Sequence, residues 1–178
     1  MDERLPEVRN REGTMLVLLE GIVMCFVLLI VCVIGIAEDG PVGLVTFYEK
    51  EVQERVVELG LTTPEKIKKR SMAAGAALFV PMLLLVPYMV YGINGVRDFK
   101  TGSMQMVVIS LIFGLFDRIF IDWYWVGHTK AWQIPGTEDL KPYISGKTLF
   151  QKWFSTLIFT PLIYVLIAWI IDRLVLYA

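Results

Sequence analysis

A chain of 178 residues that is 56% hydrophobic and only 20% charged, with a mean hydropathy of +0.59, is too apolar for an ordinary water-soluble domain, where about 45–50% is usual. A net charge of −1 argues against a nucleic-acid partner, which requires a strongly basic face. The charged residues gather between long apolar runs, and this pattern predicts an all-α fold: a four-transmembrane-helix bundle forming a single membrane domain over residues 1–178.

In chain order, residues 1–13 are charged and mixed in sign, and read as a solvated tail. The first span is predicted over 14–37, with Glu20 as its one charge. A hydrocarbon core of about 30 Å needs about 20 helical residues, so this run suffices. Cys25 and Cys32 lie within it. Seven residues apart on a helix places them about 10 Å apart along one face, too far for a disulfide, so both read as packing residues. The run lacks a basic leader and a small-residue cleavage site, which predicts a retained anchor.

Residues 38–70 form a hydrophilic connection with its own periodicity. Leu44, Tyr48, Val52, Val56 and Leu59 recur at helical spacing, with Glu49, Lys50, Glu51, Glu54 and Arg55 at other positions. This predicts an amphipathic interfacial helix between spans one and two, lying on the membrane or covering the end of the bundle. Gly60 is placed to end it, and Thr63-Pro64-Glu65 offers an N-cap, a proline at the first helical position and an acid in the first turn. The basic residues Lys66, Lys68, Lys69 and Arg70 then lead into a second span over 71–93, interrupted by Pro81 and Pro87. A third span is predicted over 104–126 and a fourth over 150–177, the latter with Pro161 inside it and Asp172-Arg173 near its end.

Orientation follows from Lys and Arg. The connections 38–70 and 127–149 carry nine (Lys50, Arg55, Lys66, Lys68, Lys69, Arg70, Lys130, Lys141, Lys147). The tail and the 94–103 loop carry five (Arg4, Arg9, Arg11, Arg97, Lys100). The bias predicts both long loops in the cytoplasm and both termini outside.

The third span is where ionisable groups enter the apolar region. Asp117, Arg118 and Asp122 lie at membrane depth, followed by Trp123-Tyr124-Trp125 and then by the one histidine, His128. Charges in hydrocarbon cost a few kcal/mol each on insertion scales, so they read as a candidate functional site. Arg118 and Asp122, one turn apart, are predicted to pair, and Asp117 to project about 100° away toward another helix or a cavity. These three residues serve as interhelical glue, as a site for a polar headgroup or solute, or as a proton relay. Lys130, Glu138 and Asp139 join the candidates through the loop that follows, although Pro135-Gly136 and Thr137-Glu138-Asp139 also read as a turn and a cap. Trp123, Tyr124, Trp125, Trp132, Tyr143 and Trp153 are predicted to form an interfacial belt. Toward the outer level, Glu20 and Arg173 are expected to form a structural ion pair. One histidine without ligand-spaced partners predicts no metal, and the absence of a phosphate loop, a nucleophile elbow, CxxC or HExxH predicts no cofactor.

Three strings, Gly40-Pro-Val-Gly-Leu-Val-Thr-Phe-Tyr-Glu-Lys50, Val56-Val-Glu-Leu-Gly-Leu-Thr-Thr63 and Trp125-Val-Gly-His-Thr-Lys-Ala-Trp-Gln-Ile-Pro-Gly-Thr-Glu-Asp-Leu140, resemble a family of small bacterial four-span membrane proteins with no assigned activity. The resemblance implies architecture and a bacterial plasma membrane, and no chemistry. Three functional readings stand at this point. One is a non-enzymatic membrane protein whose cytoplasmic-side cluster binds a lipid headgroup, a small solute or a partner membrane subunit. The second is a membrane-embedded enzyme acting on lipid or isoprenoid, with Asp117, Asp122 and His128 in acid and base roles. The third is a small proton-coupled transporter, working as a homo-oligomer because four helices enclose little volume.

Overall fold

The structure, a computed structural model, describes the backbone of residues 4–176 and the side chains of residues 13–37 and 39–174. The described residues contain helices and helical turns but no strand. Four runs are long and apolar enough to cross a membrane: Gly13–Ala37, Pro64–Ile93, Phe99–Val126 and Gly146–Leu174.

Helix α1 runs Arg4–Asp39, so the expected tail is helical from Arg4 onward. Extending an existing helix adds one hydrogen bond per residue fixed, and Pro6 falls in the first turn, where its missing N–H has no helical partner to lose. The chain then makes two short 3₁₀ turns, Gly40–Val42 and Val45–Phe47, before α2 at Lys50–Glu58. The single amphipathic helix predicted from Leu44 to Leu59 is therefore broken. Tyr48 is extended, with its carbonyl taken by the Gln53 side chain at 2.9 Å, and the N–H of Glu49 donates to Tyr143 O at 3.1 Å. Backbone groups diverted to these partners are lost to a helix. The predicted face nevertheless stands: Leu44, Tyr48, Val52 and Val56 are all buried in one core, while Leu59 is exposed.

The predicted helix ends are formed as expected. Gly60 adopts φ +69°, its N–H donates to Val57 O and the N–H of Leu61 donates to Val56 O, the paired bonds of a Schellman ending. Thr63 Oγ1 accepts from Lys66 N at 3.2 Å, capping α3, Pro64–Pro87. This helix continues as a π-wound segment, Tyr88–Ile93, immediately after Pro87. Helix α4, Phe99–Phe116, likewise passes into a π-wound segment, Asp117–Val126. Helix α5, Gly146–Phe154, is joined through π-wound Ser155–Phe159 to α6, Thr160–Ile171, just ahead of Pro161, and α6 passes into π-wound Asp172–Leu176. A proline frees the carbonyl of the preceding turn, and local widening of the helix lets that carbonyl find another donor.

The chain divides into two compact units. Unit 1 comprises Met1–Phe26, Pro81–Leu115 and Phe154–Ala178. Its core joins Val17 and Met24 of α1 to Val86 of α3, Val90 of the following π-wound segment, Met106, Ile109 and Phe113 of α4, and Tyr164 and Ala168 of α6. Tyr164, almost wholly buried, donates its hydroxyl to Met82 O at 2.8 Å. Gly21 faces Ile112 so closely that a Cβ there would lie 2.6 Å from it.

Unit 2 comprises Val27–Val80 and Phe116–Trp153. Cys32, Ala74 and Ile121 share its core with Val52 and Val56 of α2 and with Trp132, Ile134 and Tyr143 from the connection before α5. Tyr143 packs on Tyr48 with ring centres 4.9 Å apart; its hydroxyl accepts from Ile134 N and donates to Thr137 Oγ1, whose own hydrogen goes to Ile134 O. The predicted aromatic belt is corrected here: Trp132 and Tyr143 are core residues, whereas Trp123 and Tyr124 are exposed. Glu49 accepts from Ser145 N at 3.0 Å, at the start of α5. Bonds from Thr148 and then Ser145 hold its carboxyl below the usual carboxylate range. At the start of the 38–70 connection, Asp39 receives Lys66 at 2.9 Å and Arg70 at 2.5 Å, and its carboxyl too is pulled below the usual range, chiefly by the Lys66 hydrogen bond.

The tightest approach in unit 2 is between Gly43 and α1, where a Cβ on Gly43 would stand 1.9 Å from the carbonyl oxygen of Gly35. A backbone oxygen has no rotamer with which to yield. Gly43→Ala should therefore cost about 3 kcal/mol or more, the upper range for overpacking. Gly75→Ala, in a helix with open space around the position, should be neutral or stabilising by up to about 1 kcal/mol. Unfolding of the detergent-solubilised variants checks both; equal effects would show that the close approach is not what the glycine serves.

Candidate functional site

The candidate site is built where α4 gives way to its π-wound continuation. In an α-helix Asp117 and Asp122 would stand about 140° apart around the axis. A π winding, with its i→i+5 bonding and about 4.4 residues per turn, brings them to within about 50°. The two carboxylates therefore fall on the same side of one guanidinium. Arg118, 8% exposed, donates Nη1 to Asp122 Oδ2 and Nη2 to Asp117 Oδ2. The expectation that Asp117 points away is overturned by this winding.

A fourth charge completes the group. Lys152 of α5 places Nζ 3.0 and 3.1 Å from the two oxygens of Asp122. Asp122, with a side chain 7% exposed, thus accepts from two cations, whereas Asp117, 25% exposed, accepts from one. Two carboxylates and two cations cancel in formal charge. Lys152 was legible in the sequence as a lone lysine inside the fourth apolar run, but nothing in its spacing named Asp122 as partner.

Beside this tetrad lies a cleft of about 450 Å³. Asp122, Trp123, His128, Thr129, Gln133, Lys141 and Tyr143 line it, with Val126, Ile144 and Leu149 supplying apolar wall. The structure thus brings Asp122 and His128 to one cavity. His128 Nδ1 is 2.6 Å from Trp123 O, and its ring lies 4.8 Å from the Trp123 ring. A carbonyl only accepts, so Nδ1 carries the hydrogen, and in the neutral ring Nε2 is left as an acceptor. Thr129 is tied back to Trp125 O through its hydroxyl.

The other predicted residues lie apart from the cleft. Lys130 is exposed on a 3₁₀ turn, Lys130–Trp132. Glu138 accepts from Gly136 N at 3.2 and 3.0 Å and holds its own turn. Asp139 receives both Nη atoms of Arg55 at 3.3 Å, docking that turn on α2. These two acids fasten the loop, and neither faces the cavity. In unit 1 the expected Glu20–Arg173 pair is not formed. Arg173 is exposed, and Glu20 accepts instead from Asn94 Nδ2 at 3.1 Å. Among the described residues no three His, Cys, Asp or Glu side chains gather as a metal ion would need.

Comparison of the chain with family models, with curated proteins and with solved structures returns no match.

The tetrad's asymmetry has a measurable consequence. Removing one partner of a buried ion pair costs on the order of 3–5 kcal/mol, because the other charge is left uncompensated. Asp122→Asn strips an acceptor from both Arg118 and Lys152 and should reach that range. Asp117→Asn, at a more exposed position with one cation, should cost about 1–2 kcal/mol. Unfolding of the two variants in one detergent decides the matter, and the reverse order would refute the assignment of Asp122 as the centre.

Proposed function

We propose that this chain is a multi-pass plasma-membrane protein that binds a lipid headgroup or small polar solute in the cleft of unit 2. At most 33% of any of the four apolar windows is buried within the chain, so most of that apolar surface needs a cover. Apolar patches on that scale mark contact with membrane or partner. The nine-to-five excess of Lys and Arg supports cytoplasmic connections 38–70 and 127–149, with both termini outside. On this orientation α2 sits at the inner membrane surface, its Val52–Val56 face turned into the protein and Lys50, Glu51 and Glu54 toward water. Exposed Trp123 and Tyr124 fit the headgroup level.

The observation that carries the binding reading is the shared cavity of Asp122 and His128. It offers an acceptor at Asp122, a ring nitrogen at His128, the amide of Gln133, the ammonium of Lys141 and aromatic faces, beside an apolar wall. A few placed polar groups in a mostly apolar cavity suit an amphiphile held by its polar end. Acid and base catalysis is less well supported, because Asp122 is tied to Arg118 and Lys152, while Asp117 is not among the residues that line the cleft.

Two experiments test the reading. Lipids and solutes retained by the protein purified in mild detergent should be identifiable by native mass spectrometry. His128→Ala and Lys141→Ala should each reduce that occupancy roughly tenfold, the worth of one hydrogen bond to a charged group. Unchanged occupancy in both variants would refute the cleft as the site. Cysteines introduced at Glu54 and Glu138 should resist a membrane-impermeant thiol reagent added to intact cells, and labelling of both would reverse the topology.

A further inference from the structure

Unit 1 holds a buried acid of a different kind. Glu20 is 5% exposed, and among the described residues the only polar group that reaches it is a neutral amide. Asn94 Nδ2 donates one hydrogen to Glu20 Oε2 at 3.1 Å and the other to Gln105 Oε1 at 3.0 Å. Both donors of that amide are then used. Two buried oxygens of the same cluster, Glu20 Oε1 and Asn94 Oδ1, have no partner. Carboxylate and amide oxygens only accept, so neither orphan can satisfy the other, and a buried acceptor left without a donor is destabilising.

Among the described residues no fixed cation reaches this acid. Arg97 donates to the carbonyls of Tyr91 and Val96 at 2.8 Å, and Lys100 and Arg173 are exposed. Asp98 accepts from Thr101 N. Tyr164 donates to Met82 O and the Cys25 thiol to Ile112 O, while neither Asp172 nor the Tyr91 hydroxyl bonds to Glu20. Unit 2 gives its buried Asp122 two cations, so this chain does provide counter-charges to a buried acid elsewhere.

We propose that Glu20, with Asn94 and Gln105, forms a binding site for a small exchangeable monocation, a proton or an alkali ion, held between Glu20 Oε1 and Asn94 Oδ1. A proton on Oε1 turns one orphan acceptor into the donor that the other requires. An alkali ion satisfies both oxygens as ligands. The inference is independent of the cleft, and the burial of Glu20 comes from the chain itself.

Infrared difference spectroscopy of the full-length protein in lipid nanodiscs reads the site directly. Spectra of the wild type and Glu20→Gln are compared at neutral pH in buffers whose only alkali ion is potassium or sodium. Labelling glutamate with ¹³C identifies the carboxyl band in the wild type without relying on the variant. A neutral-acid C=O band that shifts on labelling, is lost in Glu20→Gln and is the same in both buffers assigns the proton. A carboxylate band that moves with sodium or potassium, with one ion bound per chain and none in Glu20→Gln, assigns the alkali ion. An ordinary carboxylate band insensitive to either ion, with no Glu20-dependent ion binding, overturns the proposal.

Discussion

Arg118 constrains everything around it. A guanidinium does not release its proton in a protein, and at 8% exposure it cannot keep its water. Carboxylates must be brought to it, and the chain brings two from its own helix, Asp117 and Asp122. That requirement is met by local winding. The π-wound stretch Asp117–Val126 rotates both acids onto one side of the arginine, which an α-helix would not do. Packing both acids on one arginine leaves a surplus of negative charge, and Lys152 of α5 offsets it. A buried cluster closed in this way fixes α5 against the end of α4 through charge geometry, a use of buried polar groups that favours one arrangement over others.

The cleft follows from the same arrangement. Asp122 stands at the tetrad and also lines the cavity, so a residue held rigidly by two cations presents its edge there. Across the cavity, His128 is pinned by Trp123 O, and Tyr143 is fixed by Ile134, Thr137 and Tyr48. Side chains held by their own bonds and packing are positioned in advance, which would lower the ordering cost of the proposed binding. The two units treat buried acids in opposite ways. Asp122 has permanent counter-ions; Glu20 has one neutral amide and an orphan oxygen. The first arrangement builds a scaffold, and the second leaves room for a mobile charge.

The connections of unit 2 are as much core as loop. Trp132, Ile134 and Tyr143 are buried with Val52 and Val56, and the joints are polar: Glu49 on Ser145, Arg55 on Asp139, and Asp39 on Lys66 and Arg70. Buried loops carry backbone groups that must be satisfied, and here Tyr143, Thr137 and Glu49 supply the partners. Ordered connections of this kind give the cleft walls that four bare helices would lack.

The sequence by itself determined the four long apolar helices, the break at Gly60, the cap at Thr63 and the buried face of Leu44, Tyr48, Val52 and Val56, because periodicity, turn chemistry and apolar run length are local properties. It also placed Arg118 beside Asp122, since residues four apart on a helix meet. The tertiary structure alone decided the rest. The π winding that turned Asp117 inward depends on how neighbouring segments bond, and the pairing of Lys152 with Asp122 joins residues thirty apart. The choice of Asn94 over Arg173 as partner for Glu20 was settled by where the turn after Ile93 left its amide. Spacing along a helix is written in the chain; which distant side chain arrives opposite a buried charge is set by packing, and no local pattern encodes it.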